Sequence, residues 1–169
     1  LALQLGSEVS YNELSKLLGV NRATIEEYIS LLEKAFVIFK LPPFSRNHRT
    51  EISSSRKIFF WDNGIRNAII GDFKPVTTRT DIGALWENFL VSERLKRNAY
   101  NQWYGRHYFW RTYAQQEIDY IEEIDSQISA FEFKWNPKKR AKFSKTFTDS
   151  YPNAILGKVD QDNFDEFLR

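Results

Sequence analysis

The residues best suited to chemistry lie in two short segments, Glu117-Ile118-Asp119-Tyr120-Ile121 and Phe131-Glu132-Phe133-Lys134. Each alternates polar and apolar side chains, the period of a β-strand with one buried face. The turn signal between them is Asp125-Ser126, and a hairpin centred there sets Asp119 opposite Glu132, Glu117 opposite Lys134, Ile118 opposite Phe133 and Tyr120 opposite Phe131. One face is then apolar, and the other carries Glu117, Asp119, Glu132 and Lys134. Directly opposed side chains stand about 5 Å apart at Cβ, where two like charges destabilise a sheet unless something lies between them. A divalent cation answers that conflict: Mg²⁺ takes hard oxygen ligands and keeps several waters, so two facing carboxylates and a main-chain carbonyl make a partial cage. Lys134 would stand beside the ion, able to orient or deprotonate an attacking water and to offset charge on a pentacovalent phosphate. The same four side chains also suit a solvated sheet face, where a Glu117–Lys134 pair needs no function, and a one-residue slip would remove the opposition altogether.

Elements on either side must position these groups. From Asp81 to Asn98 the periodicity is helical, with Ile82, Leu85, Trp86, Phe89 and Leu90 on one face and Ala84, Val91 and Leu95 roughly opposite. At about 100° per residue, Glu87 falls near the border of those faces and Glu93 inside the first, so both carboxylates are expected to be buried. A further strand, His107 to Thr112, precedes the two acidic ones. After Lys134, the stretch Trp135 to Lys145 carries Lys138, Lys139, Arg140, Lys142 and Lys145 interleaved with Trp135 and Phe143. That pattern suits either a phosphate track with aromatic platforms for unstacked bases or the solvated N-terminus of a helix.

Upstream, Ser10-x-x-Glu13 has the form of a capping box, Leu14, Leu17 and Leu18 follow at helical spacing, and Gly19 ends the helix. Asn21 can cap a second helix with an apolar stripe of Ile25, Tyr28, Ile29 and Leu32. A strand at Phe36-Val37-Ile38-Phe39, a polar stretch from Ser45 to Arg56 and a strand at Ile58 to Trp61 complete the outline of a winged helix. Such a unit can place its second helix in a DNA groove, but Glu26 and Glu27 beside Arg22 repel phosphate and favour packing or a protein partner. The cluster Arg46, His48, Arg49, Arg56 and Lys57 in the wing can touch phosphate without reading sequence, or can simply be a solvated loop. The break at Gly71 to Pro75 divides the chain into a winged-helix unit, 1–74, and a second unit, 75–169.

Composition narrows the chemistry to carboxylates. The 169 residues contain no Cys and only two isolated His, which removes thiol nucleophiles and disulfides and makes neither a histidine metal site nor a Ser/His relay persuasive. Five Trp, eight Tyr and fourteen Phe supply a core, and Lys+Arg 24 against Asp+Glu 22 gives no polycation. No run approaches the roughly 18 apolar residues of a membrane span and no leader opens the chain, so a cytoplasmic location without membrane contact is expected. The first residue is Leu1, which suggests a piece of a longer protein, and no phosphate-binding glycine loop occurs in it.

The helix motif Gly83-Ala84-Leu85-Trp86-Glu87-Asn88-Phe89, followed by Phe109-Trp110-Arg111, Glu117 to Ile121 and Phe131 to Lys134, resembles the PD-(D/E)XK nuclease-like core. With the winged helix and Lys57 to Arg66 before it, the chain is similar over nearly its whole length to the C-terminal region of a family of prokaryotic AAA+ ATPases. That resemblance implies a small winged-helix domain followed by a restriction-endonuclease-like mixed sheet flanked by helices. It implies Asp119 and Glu132 as ligands of Mg²⁺ or Mn²⁺, Lys134 as the catalytic lysine, and Glu87 as the helix carboxylate that completes or supports the metal shell. Ile118 stands where the motif usually has Pro. Arg111 and Gln116, with Lys138, Lys139 and Arg140, are the residues expected to meet nucleic acid. The function implied is a DNA phosphodiesterase within a larger, potentially oligomeric ATPase, the alternative being a non-catalytic nucleic-acid-binding, protein-docking or assembly module.

Overall fold

The computed structural model describes residues 1–46 and 55–169, so His48 and Arg49 of the wing cluster lie outside the described residues. Helix α1 (Tyr11–Leu18) begins where the Ser10 hydroxyl accepts from the Glu13 amide and ends at Gly19, whose φ of 67° is a left-handed cap that glycine adopts without steric cost. In α2 (Arg22–Lys34), Asn21 accepts from the Thr24 amide at 2.8 Å. Ile25 and Ile29 of its stripe are buried, whereas Tyr28 is exposed, because it lies about 60° around the helix from Ile25 at the stripe's margin.

Strand β1 (Ile38–Leu41) starts later than the sequence suggests, since Phe36 instead turns the chain out of α2 with φ 55° and points to solvent. It pairs antiparallel with β2 (Lys57–Phe60), Ile38 against Phe60 and Leu41 against Lys57. A helix absent from the sequence expectations, α3 (Asn63–Ile70), is capped by the Asp62 carboxylate, which accepts from the amides of Gly64 and Ile65. Helix α4 (Ile82–Tyr100) follows, then β3 (Arg106–Arg111), β4 (Glu117–Ile124), β5 (Gln127–Phe133), α5 (Lys145–Ser150), β6 (Ile155–Val159) and α6 (Phe164–Leu168). The second sheet runs β3-β4-β5-β6, antiparallel except for β6, which lies parallel to β5. Among the described residues the fold is thus mixed α/β, with six α-helices, a two-stranded sheet and a four-stranded mixed sheet.

Packing continues across residue 74. Phe109 donates its amide to Pro42 and Phe44 donates to Phe109, so the chain leaving β1 runs alongside β3 and joins the two sheets. One core gathers Phe39, Leu41 and Phe59 with Trp86, Leu90 and Val91 of α4 and with Tyr120, Phe133 and Phe167. On the opposite face of the large sheet, Trp110, Ile121 and Ala130 pack on Phe147 of α5. A third cluster holds α2 against β1, β2 and Leu85.

Glu93 departs from expectation. Its side chain is more than a third exposed and pairs with Lys96 at 2.6 Å, because the rings covering that face of α4, Trp135 and Phe164, meet Trp86 and Phe89 about two turns earlier.

Candidate functional site

The β4–β5 hairpin positions the acidic residues. Asp125 and Ser126 both have positive φ, 49° and 68°, the backbone of a two-residue turn whose twist matches the strands it joins. Tyr120 pairs with Phe131 and Ile124 with Gln127, in the register set by that turn. The ladder stops at Tyr120. On the other side of β4 the pairing shifts between Tyr108↔Ile121 and Trp110↔Ile118, so Asp119 and Tyr120 together oppose Phe109 in a β-bulge.

The bulge corrects the expected faces. Ile118 turns into the cluster of Trp110, Ile121 and Ala130, while Phe133 packs in the other core beside Tyr120, so Ile118 and Phe133 do not share a face. Asp119, released from the ladder, uses its side chain where a main-chain carbonyl would otherwise serve: Oδ2 accepts from the Phe133 amide at 2.7 Å. This hydrogen bond holds Asp119 beside Glu132 on β5.

Lys134 Nζ stands with both acids, 2.6 Å from Glu132 Oε2 and 3.7 Å from Asp119 Oδ2. Its predicted partner Glu117 is elsewhere. Glu117 is bonded instead to Lys57 of β2, whose Nζ also lies 2.8 Å from Glu87 Oε1 on α4 and 5.5 Å from the centre of the Phe109 ring. Lys57 is 1% exposed, so it is no member of a solvated basic wing. The main chain of Gly6 abuts the same corner: a Cβ there would stand 3.1 Å from Glu87 Oε2.

The electrostatics follow from burial. Four carboxyl groups, Glu87, Glu117, Asp119 and Glu132, face two ammonium groups, Lys57 and Lys134, so acids outnumber cations in the cluster. Burial pushes Glu132 up to about 7, reinforced by the Asp119 charge and opposed by Lys134. Burial likewise pushes Glu87 up to about 7 against the pull of Lys57. Asp119 is raised, by burial first, although Lys57, Lys134 and the Phe133 amide oppose the rise. Burial disfavours the charged Lys57 and Lys134, yet both are held above the ordinary lysine value by these carboxylates.

The other candidate residues lie on β3, in the turn after it and beyond β5. Arg111, next to Glu117 in the ladder, lies 3.5 Å from Glu8, and its buried Nε has no hydrogen-bond partner. Gln116 closes the β3–β4 turn with Thr112 through its main chain. Lys138, Lys139 and Arg140 are exposed in the irregular segment after β5. The aromatic platforms expected beside them are not free: Trp135 packs edge-on against Trp86 and Phe143 against the Phe147 cluster. In the wing, Arg46 reaches Glu123 across to β4.

As placed here, no group of three or more acidic or imidazole side chains among the described residues converges to grip one ion. The oxygens of Asp119 and Glu132 are nevertheless of the hard type that a divalent cation such as Mg²⁺ takes. Sequence reasoning also placed Lys57 wrongly, in a solvated wing. The signal was available, since a single cation opening the otherwise apolar run Ile58-Phe59-Phe60-Trp61 must find acids once that strand is buried.

Residues 1–75 match the model of a domain of unknown function, DUF8612, and residues 82–162 match that of a second domain of unknown function, DUF4143. No solved structure matches the chain. It is similar to an uncharacterized protein of Mycobacterium tuberculosis, Rv2008c, at 29% identity over 136 residues. An uncharacterized protein of Mycobacterium bovis, Mb2031c, matches with the same identity and extent. The match covers 79% of this chain but 30% of each relative, so the chain spans under a third of the curated relatives it matches. No helix among the described residues is long and apolar enough to cross a membrane.

Proposed function

We propose that this chain is a metal-dependent, nuclease-like phosphodiesterase module acting on DNA, carried within a longer AAA+ ATPase. The observation that carries this reading is the largely buried cluster of Asp119, Glu132 and Lys134, in which two adjacent carboxylates share one lysine. Asp119 and Glu132 would hold a Mg²⁺ or Mn²⁺ ion, with Glu87 supporting them from α4. Such an ion, when bound, polarises a phosphoryl oxygen and lowers the pKa of a water. Lys134 then serves as the adjacent cation, positioned to orient that water and to offset charge gathering on phosphorus. Arg111, Gln116 and the exposed Lys138, Lys139 and Arg140 would meet the nucleic-acid backbone. The resemblance to the PD-(D/E)XK core and the much greater length of the relatives support the larger assignment.

The test is cleavage of supercoiled and single-stranded DNA with Mg²⁺ or Mn²⁺, comparing the unaltered chain with Asp119→Ala. Metal-dependent cutting that the variant loses supports the reading; folded protein that cuts neither substrate, or cuts equally well without Asp119, contradicts it.

A second reading, a docking or assembly module, is favoured by one observation. The first two helices expose Leu17, Leu18, Tyr28 and Leu31, Phe36 just after them is exposed as well, and α2 also carries the acidic Glu26 and Glu27. Association with a protein partner that is insensitive to salt, with no DNA bound at low salt, would select it.

A further inference from the structure

A pocket of about 320 Å³, the size of a small-ligand site, is lined by residues of α3, of the segment that follows it and of α4, together with Trp135. Its walls are mostly apolar. Trp86 and Trp135 are neighbours in the chain of Glu87 and Lys134, so the pocket is built on two of the segments that carry the charged cluster.

The polar groups left over in those walls are donors. The Trp86 indole N–H is buried with no hydrogen-bond partner, whereas buried donors are normally paired. Asn67 Oδ1 accepts from Arg66 and Arg79, which fixes the orientation of the amide and leaves its Nδ2 without a partner among the described residues. Arg79 also lines the pocket, but its nitrogens are taken up by Asp81, Asn67 and the Asp72 carbonyl. Lys74 is exposed at the rim and pairs with no acid, and no carboxylate among the described residues lines the pocket.

Donors in the wall and a cation at the rim call for a flat, apolar ligand with acceptors inside and a negative charge at the mouth. A nucleotide separates the two in this way, its ring carrying carbonyl and ring-nitrogen acceptors and its phosphate lying beyond the sugar. An apolar carboxylic acid would put acceptor and charge on the same atoms. Trp86 is not the stacking platform, because Phe89, Trp135 and Phe164 already pack on it. Phe73 is free for that role: its ring is 70% exposed and meets no other ring among the described residues. We propose that this pocket holds one unpaired nucleotide of a DNA strand, its base on Phe73 with acceptors toward Trp86 and Asn67, and its phosphate at Lys74. A base stacked and paired in a duplex cannot enter, so the module takes single-stranded or frayed DNA. The inference rests on the DNA-binding reading above, names the form of its substrate and needs no metal.

The test is fluorescence anisotropy in EDTA with two labelled single-stranded oligonucleotides of equal length, one of thymidines and one abasic, which share their phosphates and differ only in the bases. The unaltered chain is expected to bind the thymidine strand roughly tenfold more tightly, the worth of one base–aromatic contact. Phe73→Ala and Trp86→Phe should each lose most of that preference. A merely structural effect would weaken both strands alike and leave their ratio unchanged. Should Trp86→Phe fail to fold, Phe73→Ala decides, since its ring lies at the surface. Equal affinity for the two strands in the unaltered chain, or an undiminished preference in Phe73→Ala, overturns the inference while leaving DNA binding intact. Free thymidine monophosphate bound as tightly as the thymidine strand would make the occupant a free nucleotide and overturn the assignment to a strand. Binding of neither strand at low salt removes the DNA reading and the inference with it.

Discussion

At the scale of single residues, the Glu132 carboxyl is one of two in the site raised to about 7. Burial and the neighbouring Asp119 hold it at about 7 in the folded chain, against an ordinary value of 4.5. A folded-state pKa above the unfolded one means that the folded chain binds the proton more tightly. The stabilisation from that proton is full below pH 4.5 and is lost as pH rises through 7. Measured by chemical denaturation without divalent metal, the stability of the unaltered chain relative to Glu132→Gln should fall steadily across that window and level off above it. A difference that does not change with pH would mean that Glu132 is not held in this environment. Saturating Mn²⁺ should remove most of the fall, because an ion at Asp119 and Glu132 supplies the charge that the proton otherwise provides.

At the scale of elements, Asn88 of α4 joins the first sheet to the helix. It is fully buried, its Oδ1 accepts from the Phe60 amide at 2.8 Å, and its Nδ2 donates to Phe60 and Asn63 at 2.9 and 3.0 Å. The side chain thus pairs an edge of β2 that no strand covers. Asn88→Ala should cost about 2 kcal/mol or more in a urea titration, since it leaves buried main-chain groups of β2 unpaired. A loss of a few tenths would show that water replaces it freely. Elements of this kind were readable in the sequence where local chemistry fixes them: the Ser10 and Asn21 caps, the α4 span, and the Asp125-Ser126 turn with the hairpin register. The bulge at Asp119 was not, because it depends on how β3 accommodates β4, and it moved Ile118 to the opposite face from Phe133. Strand β6 and helix α6 escaped notice too, being short and dependent on tertiary contacts for their stability.

At the scale of the whole molecule, the candidate site was half legible. Asp119, Glu132 and Lys134 come together because one hairpin carries them, and Glu87 joins from α4. Lys57 lies far away in sequence, and its partnership with Glu87 and Glu117 depends on the first sheet docking against the second. The exposed cations after β5 carry a consequence at the same scale. If Lys138, Lys139 and Arg140 each neutralise a phosphate, the salt dependence of DNA binding should lose about one unit of log–log slope for each replaced by Gln. An unchanged slope in the triple variant, followed by fluorescence anisotropy across a salt series, would remove this segment from the interface.

The claim on which the rest depends is that Asp119 and Glu132 together hold a divalent ion. Anomalous diffraction from crystals soaked in Mn²⁺ tests it most directly. A single peak between the Asp119 and Glu132 carboxylates, absent from Asp119→Asn crystals, is the expected result. Well-ordered crystals with no peak there, or with a peak only at surface acids, would contradict it.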